Sequence, residues 1–125
     1  MAEGHALAPL LITLFRDEAE SLNVLKTDLQ TLVRGLPIKR AILFGSVARG
    51  DERATSDVDL LVLVRSHADK EKVEDALSRA SLDFAIKFGN PLSSIVMEDR
   101  QFRFPSNPAL LTNVRQDGIE LETEA

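Results

Sequence analysis

The sequence predicts a small α/β (α+β) domain, a mixed β-sheet flanked by helices, and three observations carry that prediction. Two short apolar runs, RAILF and VDLLVLV, are each bounded by turn-forming residues, as buried strands are. Stripes of apolar residues spaced three and four apart lie before and after them, which is the pattern of helices with one face on a core. At 125 residues and 44% hydrophobic content, the chain has material for one core, so residues 1–125 read as a single domain.

Residues 1–36 form a leading helical segment. Leu7, Leu10, Leu11, Leu14, Phe15, Leu22, Leu25, Leu29, Leu32, Val33 and Leu36 recur at helical spacing. Pro9 suits a first turn, Gly35 suits the residue just past a helix, and Pro37 stops any continuation. Acids between Asp17 and Ser21 interrupt the stripe, and Ser21 is able to cap a second helix. One long helix is the preferred reading.

Residues 38–125 form the sheet core. Arg40–Phe44 is a buried strand punctuated at once by Gly45, and 47–50 leaves room for one helical turn. Val58–Val64 is the second strand. Val73, Ala76, Leu77, Ala80, Phe84 and Phe88 then predict an amphipathic helix over 73–88. Asp69, Lys70, Glu71 and Lys72 make its solvated first turn, and Gly89 and Pro91 close it. A third strand is expected over 92–97, a last helix over 108–116, and a turn with a terminal strand over 118–121.

Composition excludes several functions. The net charge of −5 argues against general nucleic-acid binding through bulk charge, so a polyanion must meet a local site. Without cysteine, disulfides, Cys-ligated zinc, iron–sulfur clusters and thiol nucleophiles are all out. No apolar run approaches the roughly 20 residues that span a bilayer, and the N-terminus lacks a basic leader. A soluble, cytoplasmic protein without membrane partners is the expectation. Six Phe with no Tyr or Trp argue against an exposed base-stacking platform. His5 and His67 lack ligand spacing, Lys39 and Arg53 read as surface charges, and Ser56 reads as a turn residue.

The chemistry is concentrated between Leu43 and Val64. Gly45 and Ser46 follow directly on a buried strand, where a glycine turns freely and leaves backbone N–H groups open to a phosphate. Ser46 adds a hydroxyl, and Arg49 lies one helical turn further on. Asp57 and Asp59 open the second strand. Strand alternation sends both to one face, about 7 Å apart at the backbone, and two carboxylates so placed repel unless a cation lies between them. Mg²⁺ suits that bracket because it takes oxygen ligands from one or two carboxylates together with substrate phosphates. For one ligand to touch Ser46 and both aspartates, the two strands must run antiparallel.

Gly45–Ser46, ten intervening residues, then Asp57-x-Asp59, with hydrophobic strands on either side, resembles the signature of the polymerase-β-type nucleotidyltransferases. ARG at 48–50 and SDVDLLV at 56–62 are similar to their small, minimal members. The resemblance implies that Gly45, Ser46 and Arg49 bind a nucleoside triphosphate, ATP being the expected one, and that Asp57 and Asp59 are catalytic carboxylates holding Mg²⁺ in a two-ion site. It implies attack by an acceptor hydroxyl, on a protein or small molecule, with transfer of AMP and release of pyrophosphate. Family members also place a third carboxylate on the next strand, where it shares a metal and helps deprotonate the hydroxyl. Here that strand reads LSSIVM, with no acid. Glu98 is the substitute expected to complete the catalytic set, with Asp99 and Asp83 as the other nearby acids, and Ser94 is the expected position for a missing carboxylate, with Ser93 on the opposite face.

Small members of the family often work with an all-helical partner, in some cases as antitoxin and toxin. Two functions therefore stand after the sequence is read: a Mg²⁺-dependent nucleotidyltransferase, or a nucleotidyltransferase-like antitoxin or regulatory module that binds nucleotide without turnover.

Overall fold

The computed structural model describes residues 18–48, 57–106 and 108–122. The expectations for the stripe from Leu7 to Phe15, and for Arg49, Arg53 and Ser56, lie outside the described residues. In chain order the elements are α1 (Glu18–Val33), β1 (Arg40–Phe44), α2 (Gly45–Ala48), β2 (Val58–Val64), α3 (His67–Phe88), β3 (Leu92–Glu98), α4 (Asp99–Arg103), α5 (Pro108–Asp117) and β4 (Ile119–Leu121). The sheet order is β3-β2-β1-β4. β1 runs antiparallel to β2 and β4, while β2 and β3 are parallel. The sheet is mixed, as expected, because the long α3 crosses back between β2 and β3, the connection a parallel pair requires.

Helix boundaries follow from local chemistry. α1 runs from Glu18 through Ser21 without a break, so Ser21 does not cap a second helix; whether one helix joins it to the Leu7–Phe15 stripe lies outside the described residues. It ends at Val33, and Gly35 follows at φ +86°. α3 begins at His67, six residues ahead of its first buried residue, Val73. The start is set by Ser66, whose backbone is extended and whose side-chain oxygen accepts the Asp69 N–H at 3.2 Å. Its end is set by Gly89 at φ +79°, whose N–H reaches Ala85 O. The short helix α4 was not expected. It begins at Asp99 and is capped by Glu98, where the Glu98 side chain and the Gln101 side chain each accept the other residue's backbone N–H.

Two apolar layers cover the sheet. On one face Val58, Leu60, Val62 and Val64 of β2 join Ala41 and Leu43 of β1 under α1 (Leu25, Leu29, Val33) and α3 (Val73, Leu77, Phe84, Phe88). On the other face Leu61 and Leu63 join Ile42, Phe44 and Val114, with Ile95, Met97, Phe102 and Leu110 packed against them. β2 is therefore covered on both sides, which is why its sequence is a continuous apolar run and not an alternating one. Asp59 is its one residue that is not fully buried. Its alternation with Leu61 and Leu63 assigns it to the smaller layer.

Candidate active site

Antiparallel register brings the end of β1 to the start of β2. Phe44 stands opposite Asp59, so the chain leaving β1 at Gly45 passes the Asp59 side chain. Gly45 has φ +83°. A Cβ placed there would overlap Asp59 Oδ2 and lie 3.1 Å from its Cγ. Glycine is thus required twice, once for the left-handed backbone and once for the approach of a carboxylate to the main chain. The antiparallel arrangement demanded by the motif is the one present.

α2 is a single turn, Gly45–Ala48, too short to carry a long helix dipole. Ser46 lies in this turn. Arg49 lies outside the described residues. Asp57 is exposed and immediately precedes β2. The ladder already includes its neighbour, since the Val58 N–H donates to Pro91 O at 2.9 Å. Alternation around the buried Val58 sends Asp57 and Asp59 to the same side. The structure thus brings Gly45, the Ser46 backbone, Asp57 and Asp59 to one end of the sheet.

Glu98 is not brought there. It lies opposite Val64, five positions along β3 from Ser93, the residue opposite Asp59. At about 3.3 Å per residue the separation is about 16 Å, and the Glu98 side chain is engaged at the start of α4. Asp99 is also at that far end. Lys39 Nζ lies 3.1 Å from its Oδ2 and Arg103 Nε lies 3.3 Å away. The hydrogen bond from Lys39 is the main reason its carboxyl is held below the usual range. Asp83 is exposed on α3, the helix that covers the opposite face.

The third-strand position is also corrected. Ser93, not Ser94, is opposite Asp59, and it shares the alternation of Ile95 and Met97 on the smaller-layer face. Ser94 alternates with Leu92 and Val96 on the other face. The sequence shows that the two serines face opposite ways, but choosing between them needs the β2–β3 register. Sequence reasoning also passed over Asn90, the buried polar residue among those described, at 6% exposure. It precedes Pro91, whose carbonyl fixes the β2–β3 entry.

The nucleotidyltransferase domain family matches residues 22–117. The chain belongs to that family. Three relatives from Methanocaldococcus jannaschii are described as candidate protein adenylyltransferases. One is 31% identical over 102 residues, covering 82% of this chain and 95% of its own length. Another is 40% identical over 70 residues, covering 54% and 70%, and a third is 36% identical over 101 residues, covering 75% and 67%. Among solved structures, a toxin–antitoxin with AMP-PNP is 21% identical over 77% of this chain and 71% of that one, with a TM-score of 0.49. A candidate nucleotidyltransferase from Sulfolobus solfataricus is 19% identical over 82% and 80%, with a TM-score of 0.45. The matched span, residues 22–117, includes Gly45, Ser46, Asp57 and Asp59.

Proposed function

We propose that this chain transfers AMP from ATP onto a hydroxyl group of a protein, with Mg²⁺ held by Asp57 and Asp59. The observation that carries this reading is the approach of Gly45 to the Asp59 carboxylate, which is the arrangement expected where backbone N–H groups bind phosphate next to oxygens that bind a metal. The descriptions of the M. jannaschii relatives as protein adenylyltransferases support AMP as the group and protein as the acceptor class.

The donor set fits the ion. Two carboxylates on one side of a strand start are hard oxygen ligands of the type Mg²⁺ takes with substrate phosphates. The chemistry such an ion supplies is neutralisation of carboxylate and phosphate charge and polarisation of the phosphoryl oxygens. Asp57 and Asp59 would hold it, while the N–H groups at Gly45 and Ser46 would orient phosphate oxygens. In the reaction the acceptor oxygen bonds to the α-phosphorus, and the bond from that phosphorus to the oxygen bridging the β-phosphate breaks. Pyrophosphate leaves with the electron pair, and the hydroxyl proton passes to water or to a base on the acceptor.

A second reading, a regulatory module that binds nucleotide beside an all-helical partner without turnover, is favoured by one observation: the residue opposite Asp59 on β3 is a serine. Mass spectrometry of the protein and of its genomic neighbour after incubation with ATP and Mg²⁺ separates the two. An AMP adduct that disappears in Asp59→Asn is expected. Metal-dependent nucleotide binding with no adduct on either protein would overturn the transferase reading in favour of the module.

A further inference from the structure

Ser93 stands opposite Asp59 on the neighbouring parallel strand, and the two side chains leave the same face of the sheet. Adjacent strands lie about 4.8 Å apart, so a side chain at 93 reaches whatever Asp59 holds. Two-ion phosphoryl-transfer sites keep their ions about 3.5–4 Å apart, and two dications that close repel strongly unless anionic ligands surround both. Asp57 and Asp59 bring two carboxylates, which with the nucleotide's phosphate oxygens make up the ligand set of one divalent ion. Residue 93 brings a hydroxyl, which ligates weakly and neutralises nothing. Among the described residues no group of three or more His, Cys, Asp and Glu comes together.

We propose that Ser93 limits this chain to a single divalent ion, held by Asp57 and Asp59 with the nucleotide. This inference rests on the metal-dependent reading above. The same geometry makes the limit removable at one position. A carboxylate at 93 would face Asp59 across one strand spacing and complete an acidic trio around two ions. A carboxylate at 94 would leave the opposite face beside Leu92 and Val96 and add nothing to the site.

The test counts ions and does not need turnover. Mn²⁺ is titrated into the protein with a saturating non-hydrolysable ATP analogue, equilibrium dialysis gives the number bound, and electron paramagnetic resonance shows whether two bound ions are magnetically coupled. Wild type is expected to bind one Mn²⁺ with an uncoupled spectrum. Ser93→Asp is expected to bind two, with the coupled spectrum of adjacent ions. Ser93→Asn, of equal size and neutral, and Ser94→Asp are both expected to stay at one. A coupled pair in wild type overturns the limit while leaving the Asp57–Asp59 reading intact. One ion in folded Ser93→Asp, or two in Ser94→Asp, overturns the role of residue 93. No bound Mn²⁺ in wild type overturns the metal-dependent reading itself. Should Ser93→Asp fail to fold, as judged by circular dichroism, the wild-type spectrum decides alone: uncoupled supports the proposal and coupled overturns it.

Discussion

At the scale of single residues, the site is held by a glycine whose absent side chain is the space that a carboxylate fills. Gly45→Ala introduces a Cβ at φ +83° that overlaps Asp59 Oδ2. A left-handed non-glycine residue costs about 1–2 kcal/mol, and moving Asp59 aside adds to that. Urea denaturation of Gly45→Ala is therefore expected to show a loss of about 2–3 kcal/mol, and calorimetry to show weakened Mg²⁺-nucleotide binding. Asp59→Asn is the contrasting change, since it keeps the shape of the Gly45 approach and removes the charge. Mg²⁺-nucleotide affinity is expected to fall by about 2 kcal/mol, the scale of a lost charged contact. Equal nucleotide affinity in EDTA and in Mg²⁺ for the wild-type protein would show that Asp59 is not a metal ligand.

At the scale of elements, burial and capping decide the outcome. Leu61 is fully buried between Ile42, Phe44 and Leu63, and Leu61→Ala is expected to cost about 2–5 kcal/mol in a denaturation experiment. Ser66→Ala removes the oxygen that accepts the Asp69 N–H and is expected to cost about 1 kcal/mol with the site unchanged. β1, β2 and the antiparallel register between them were legible because RAILF and VDLLVLV are too short and too apolar for helices, and because Gly45-Ser46 and Asp57-x-Asp59 make chemical sense only if the strand ends meet. The start of α3 was placed two residues late, at the solvated turn Asp69–Lys72, because His67 and Ala68 add nothing to the apolar stripe. The informative signal was the capping residue Ser66. α4 was missed because five residues show no periodicity, although Glu98 and Gln101 spell its capping pair. The choice between Ser93 and Ser94 was beyond sequence, because a one-residue change in parallel register exchanges their faces and no local pattern distinguishes the two.

At the scale of the whole molecule, the sheet has one end that gathers Gly45, Asp57 and Asp59 and one end fastened by ion pairs. Opposite the Gly45–Asp59 corner, β1 begins at Arg40, which forms a two-pronged pair with Glu120 of β4, Nε to Oε2 at 2.9 Å and Nη2 to Oε1 at 2.8 Å. The same guanidinium lies 5.4 Å from the centroid of the Phe102 ring. The hydrogen bond from Arg40 lowers the Glu120 carboxyl below its ordinary value of 4.5, as Lys39 lowers Asp99 below 3.8. A carboxyl with a lowered folded-state value contributes its stability in full above the unfolded value and loses it as the pH falls through the folded one. Both pairs therefore favour the folded state at neutral pH and are lost on acidification below about 4.5, a window set by these carboxylates, because Arg40 stays charged throughout. Glu120→Gln is expected to lower stability at pH 7 by about 0.5 kcal/mol, a small figure because the pair is solvent-screened. It should also flatten the acid limb of the stability–pH curve, so that wild type and variant converge as the pH falls below 4.5. Thermal unfolding followed across pH 3–7 measures this, and a constant gap between the two curves would show that the pair does not titrate with folding. Because Arg40 and Glu120 lie at the end of the sheet away from Asp59, Mg²⁺-nucleotide affinity at neutral pH is expected to be the same in Glu120→Gln and wild type, which separates fastening of the sheet from the chemistry at its other end.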